Sequence, residues 1–148
     1  MKRLYPEQPI ISIGALIVCK GQILLEKRKN EPSKGKWSIP GGVVELGERL
    51  EKTVIREVKE ETGLTIANVE LVDVINSVTY DENGKIKYHF VIMEYFARIK
   101  AGTIQASSDA EELRWVSLIK VEEYDLTKSF RDFFIKNREK LEKMESCL

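Results

Sequence analysis

Three glutamates within five residues, Glu57, Glu60 and Glu61, give the first chemical signal in this chain. At about 100° per residue around a helix, Glu57 and Glu61 stack one turn apart and Glu60 stands roughly 80° to one side. Leu50, Val54, Ile55 and Val58 form an apolar stripe on the other flank, while Lys52 and Lys59 point toward solvent. The carboxylates therefore border the face that packs inward. Like charges at i and i+4 repel, and partial burial strengthens the repulsion. Something positive has to sit among them, and lysines on the far side of the helix cannot serve. A divalent cation can. Ligands that are all oxygen select a hard ion such as Mg²⁺ or Mn²⁺, and Mg²⁺ held by a few carboxylates keeps positions open for water and phosphate oxygens. The chemistry that fits is that of a phosphate ester or anhydride.

The residues ahead of the glutamates agree. Gly41 and Gly42 allow the backbone to approach a ligand or metal closely. Glu48, near the start of the helical stretch, is placed to reach back toward the cluster. Arg56 is permanently charged and suited to fork onto a neighbouring carboxylate and orient it. Trp37, just before Pro40-Gly41-Gly42, offers a ring for stacking on a base or for packing the loop.

Residues 42–64 read Gly-x5-Glu-x7-Arg-Glu-U-x-Glu-Glu-x-Gly-U, with U a bulky aliphatic residue, and this resembles a complete Nudix box at every fixed position. The resemblance implies an α/β fold, an α/β/α sandwich around a mixed β-sheet, with a strand-loop-helix unit and a C-terminal helix. It implies Glu57, Glu60 and Glu61 as metal ligands joined by the Gly41 carbonyl, Glu48 as an acidic accessory, and Arg56 orienting Glu57. It suggests Asp109, six positions before Trp115, as a further catalytic acid, with Glu111 and Glu112 beside it. Arg28 resembles positions that meet substrate phosphates, and Tyr80 lies near the tyrosine of dinucleoside polyphosphate enzymes. The implied activity is Mg²⁺-dependent (or Mn²⁺-dependent) hydrolysis of a nucleoside diphosphate linked to another moiety, with ADP-ribose favoured. Nucleoside triphosphates or dinucleoside polyphosphates are the alternatives, and a non-catalytic nucleotide sensor is the reading from outside enzymology. Related enzymes often form homodimers.

The elements that must position these residues follow from patterning. Residues 10–19 and 22–28 read as two strands about the Lys20-Gly21 turn. Residues 29–36 form a loop, and the charged run from Glu48 becomes a helix that ends near Thr62 against Gly63. Residues 67–80 and 85–99 flank the Asn83-Gly84 hairpin signal. Leu113 to Ser117 suggests another strand, Ile119 to Tyr124 a short helix, and residues 127–145 a long helix burying Phe130, Phe133, Phe134 and Leu141. The single histidine, His89, makes no cluster and is expected to be structural.

Length and charge set the bounds. The 148 residues suit one domain spanning 1–148, and 24 basic residues balance 24 acidic ones. No global field exists to draw the chain onto a nucleic-acid polymer or a membrane, so any charged site must be local, and the resemblance implies a small-molecule nucleotide as partner. Residues 10–19 are too few to span a bilayer. Cys19 and Cys147 match no metal or redox spacing and are expected to be reduced thiols in a cytoplasmic protein.

Overall fold

The computed structural model describes residues 2–104 and 110–147. Among the described residues eight strands form: β1 (Ile10–Leu16), β2 (Val18–Cys19), β3 (Gln22–Arg28), β4 (Trp37–Ser38), β5 (Gly41–Val43), β6 (Thr65–Tyr80), β7 (Ile86–Ala101) and β8 (Ala110–Ser117). Two α-helices, α1 (Leu50–Thr62) and α2 (Lys128–Glu142), join them, with a 3-10 helix at Leu118–Glu123. One sheet runs β5-β1-β7-β6, and β1 lies parallel to β7 and antiparallel to β5. The second sheet centres on β3, which pairs antiparallel with β2, β4 and β8.

Alternation along β1 and into β2 divides the core in two. Ile13, Ala15 and Ile17 pack with Val54 and Val58 of α1. Leu16 and Val18 face the opposite way, toward Phe130, Phe133 and Phe134 of α2. Each fully buried side chain of this size contributes about 1.5–3 kcal/mol, so the helices are held chiefly by their apolar faces. The expected α/β/α arrangement is thus observed, and no helix among the described residues is long and apolar enough to cross a membrane.

Local signals explain most boundaries. Gly63 closes α1 in the left-handed region at φ 82°, donating its N–H to the Lys59 carbonyl. Thr127 caps α2, its hydroxyl oxygen accepting from the Phe130 N–H at 3.3 Å. In the β6–β7 hairpin Asp81 Oδ1 accepts from the N–H groups of Asn83 and Lys85, both at 2.9 Å, and Gly84 takes φ 80°. His89 meets Asn76 Oδ1 at 2.8 Å across the same hairpin.

Two expectations need correction. The first helix starts at Leu50, not Glu48. Glu48 stays in a turn, its N–H donating to the Glu45 carbonyl, which leaves its side chain outside the helical ladder. The cysteines are not free thiols: Cys19 and Cys147 form a disulfide with Cα atoms 5.2 Å apart. Their remoteness in sequence concealed this, because the C-terminal segment folds back onto β2. There the Ser146 N–H donates to the Val18 carbonyl, and the Val18 N–H donates to Ser146 Oγ at 2.9 Å. The Ile99 N–H of β7 completes the seam by donating to the Ser146 carbonyl at 2.7 Å.

Candidate active site

Arg56 organises the acidic helix. Its Nε donates to Glu48 Oε2 at 2.8 Å and its Nη2 to Glu48 Oε1 at 3.0 Å, the bidentate fork that guanidinium geometry favours. Its Nη1 reaches Glu57 Oε1 at 2.9 Å and Glu60 Oε2 at 3.3 Å, and Nη2 approaches the Val43 carbonyl at 3.4 Å. One side chain therefore ties the loop before α1 to two of the glutamates. The Arg56 hydrogen bonds hold the Glu48 carboxyl down at about 2, and those carboxylates in turn raise Arg56 above its usual value.

Because the folded pKa of Glu48 lies below its unfolded value of about 4.3, its contribution is complete above that pH and is lost as pH falls toward about 2. Glu48→Gln is expected to be less stable than the parent at pH 7, with the difference shrinking between pH 4.5 and pH 2. Urea midpoints across that range are the measurement. A difference independent of pH would show that the ion pair is not its source.

The two loop glycines make room for carboxylates. A Cβ on Gly42 would fall on the Glu57 carboxyl group. The Gly41 N–H donates to Glu61 Oε2 at 3.0 Å, and a Cβ on Gly41 would strike the Ile13 carbonyl. Glu57 and Glu61 thus face a polar cavity also lined by Glu26, Arg28, Gly41, Gly42 and Val43. Its donor set fits a hard divalent cation: carboxylate oxygens one helical turn apart, brought against a loop whose missing side chains let them approach. Glu60 is not among the lining residues. Its side chain is 49% exposed and rests on Arg56 at the rim.

A second cavity begins where the first ends, the two sharing Arg3, Glu26, Arg28, Gly41, Gly42 and Val43. It runs along the α2 side of the first sheet, over Ser12 and Gly14 of β1, Phe90, Ile92 and Glu94 of β7, and Phe130 of α2. Arg28 stands at the junction, its Nε donating to the Pro32 carbonyl at 2.7 Å. Burial lowers its pKa, against the pull of the Glu26 and Glu61 carboxylates.

The remaining sequence candidates are placed differently. Trp37 is 8% exposed and belongs to the core, edge-on to Tyr124 with Arg114 over its ring, so it does not line the cavity as a stacking platform. Tyr80 is 61% exposed and outside the cavity, where its neighbour Thr79 takes the inward position. Asp109 lies outside the described residues. Sequence reasoning passed over Glu26 and Glu94, two buried carboxyl residues that line the second cavity. Glu94 interrupts an apolar strand run, which was the available signal, whereas Glu26 stands where the apolar run of β3 gives way to Lys27 and Arg28.

A mixed sheet between helices, presenting an arginine-ordered glutamate cluster on a strand-loop-helix unit, defines a class of domain built to hold a cation beside a ligand cavity. A family model described as the NUDIX domain matches residues 8–136, and the chain belongs to that family. Nudix hydrolases generally use divalent metals. The chain is 38% identical over 116 residues to an ADP-ribose pyrophosphatase of Methanocaldococcus jannaschii, an alignment that covers 78% of this chain and 66% of that protein. It is 28% identical over 123 residues to the nucleoside triphosphatase NudI of Escherichia coli, covering 80% of this chain and 84% of NudI. Among solved structures, the MutT Nudix hydrolase of Burkholderia pseudomallei matches with a TM-score of 0.73 and 35% identity, over 85% of this chain and 95% of that one. The chain therefore spans about two thirds of the length of its archaeal relative.

Proposed function

We propose that this protein is a Mg²⁺-dependent pyrophosphohydrolase that cleaves a nucleoside diphosphate linked to another moiety, with ADP-ribose yielding AMP and ribose 5-phosphate. The observation that carries the reading is the junction of the two cavities. A carboxylate-lined chamber suited to a cation and phosphates opens directly into a partly apolar one with room for a nucleoside. The similarity to the archaeal ADP-ribose pyrophosphatase supports that choice of substrate.

In this reading Glu57 and Glu61, which line the chamber, would hold the cation, with Glu60 and the Gly41 carbonyl as its further ligands. When bound, Mg²⁺ supplies charge neutralisation at the anhydride oxygens and acidifies a coordinated water. The protein's own groups do the rest. Arg56 fixes the Glu57 carboxylate, and the Gly41 N–H fixes Glu61, so neither must reorganise as charge develops. A carboxylate of this pair takes the proton of the attacking water. The water oxygen bonds to one phosphorus, and the bridging oxygen departs with the other phosphate. Arg28, at the cavity junction, is placed to meet a phosphate oxygen.

A panel of ADP-ribose, nucleoside triphosphates and dinucleoside polyphosphates with Mg²⁺, resolved by product, tests the reading. AMP and ribose 5-phosphate from ADP-ribose are expected. Pyrophosphate release from triphosphates without ADP-ribose turnover would replace this reading with the one that the similarity to NudI favours.

A further inference from the structure

Glu94 lies in the middle of β7, within the strongly apolar segment 90–97, where no charge is needed to hold the sheet. It is 5% exposed, and its Oε2 has no hydrogen-bond partner among the described residues. Such a group costs stability unless something that visits the site pairs with it.

Its placement is specified from the other side. Gly14 pairs in register with Glu94 on one flank and with Gly41 on the other. A Cβ on Gly14 would stand 2.5 Å from Glu94 Oε2 and 2.9 Å from Ile39 Cδ1. The strand lacks a side chain where the carboxyl group needs space. Gly42 does the same for Glu57 one residue along β5 from Gly41, so two glycines admit two carboxyl groups. Glu57 serves the polar chamber and Glu94 the chamber behind it.

The surroundings of Glu94 suit a flat heterocycle. Phe90 and Ile92 share its face of β7, Ser77 of β6 stands opposite Phe90, and Phe130 comes from α2. Burial, with a smaller effect of the Asp73 charge, pushes the Glu94 carboxyl up to about 8. At neutral pH it is a carboxylic acid offering one donor and one acceptor side by side. That is the pattern with which an Asn or Gln amide reads adenine.

We propose that Glu94 is a specificity-determining residue whose carboxyl group hydrogen-bonds the 6-amino and ring-nitrogen edge of an adenine seated in this cavity. The inference rests on the reading of the adjoining chamber as the phosphate site, and it adds which base the enzyme accepts. Glu94 takes no part in bond cleavage.

The test is a cycle between residue and base. Binding of AMP and of purine riboside 5′-monophosphate, which carries hydrogen in place of the 6-amino group, is measured by calorimetry with Mg²⁺ for the parent, Glu94→Gln and Glu94→Leu. The parent is expected to prefer AMP by about tenfold or more, in the range of one good base contact. Glu94→Gln keeps a donor and an acceptor and is expected to retain that preference. Glu94→Leu is expected to lose it, binding both ligands alike, while melting no lower than the parent because an unpaired buried polar group has gone. Glu94→Met takes its place if the leucine variant does not fold. A preference undiminished in the apolar variant overturns the inference, as does a parent that fails to bind AMP or to distinguish the two ligands. Base preference that depends on Glu94 without hydrolysis of any nucleotide would instead sink the catalytic reading and leave this one standing. Turnover of ADP-ribose with KM unchanged in Glu94→Leu would do the reverse.

Discussion

Glu57→Gln is expected to lower kcat on the preferred nucleotide by about 10²- to 10⁴-fold, the range set by removal of a positioned acid-base group. The fold should survive, because Arg56 keeps its two bonds to Glu48 and the apolar face of α1 is untouched. Gly42→Ala provides the independent version of the same experiment. The new Cβ would occupy the place of the Glu57 carboxyl group, which is the mobile end of a side chain and so gives way before the backbone does. A comparable loss of kcat is expected with all the glutamates still present. Glu60→Gln is expected to lose turnover as well, through the place in the cation's ligand set proposed for it. Steady-state kinetics with thermal melts settles the matter: full kcat in either Glu57→Gln or Gly42→Ala would remove Glu57 from the reaction, whereas a rise in KM alone would mark it as a binding group.

The second large effect concerns stability. Reducing the disulfide, or replacing Cys147 with Ser, is expected to cost about 2–4 kcal/mol, the usual yield of a native bridge. The bridge joins positions 128 residues apart, so it restricts nearly the whole unfolded chain. With an unfolding entropy of about 2.1 cal/mol/K per residue, each kcal/mol corresponds to roughly 3 °C for a chain of this length, and Tm should fall by roughly 6–12 °C. Neither cysteine lines either chamber of the candidate site, so kcat at 25 °C should not change. Calorimetric scans with and without dithiothreitol make the comparison. Coincident transitions for protein shown to be oxidised and reduced would mean that the bridge adds nothing.

The parts of this molecule that were legible in sequence are those whose physics is local. The acidic face of α1 followed from helical period, its end from Gly63, and the long hairpin from Asn83-Gly84. The burial of Phe130, Phe133 and Phe134 followed from their spacing. What was missed depends on meetings between distant segments. Cys19 finds Cys147 only after the chain has crossed both sheets, and the choice between stacking and packing at Trp37 rests on Tyr124 and Arg114, which meet it from distant segments. Glu48 was read as an acidic accessory reaching back toward the cluster, but the grip of Arg56 on both its oxygens was not legible, because that pairing depends on how the loop before α1 curls. Tyr80 shows the narrowest margin, since a step of one residue along β6 separates it from Thr79 on the cavity face. Glu94 was visible as an anomaly in an apolar strand, but its meaning required Gly14 on the neighbouring strand.

The parallel union of β1 with β7 carries a consequence for how the molecule is made. The register joins Ile10 to Phe90, segments separated by roughly 80 residues, and such distant pairings slow folding because loop closure precedes any compensating contact. During synthesis the glutamate-bearing helix leaves the ribosome well before the strand that will floor the chamber behind it. The nascent chain would thus display its acidic face before β7 and α2 have built the cavity beside it, and the two adjoining chambers would form only once those later segments have packed onto β1 and β3.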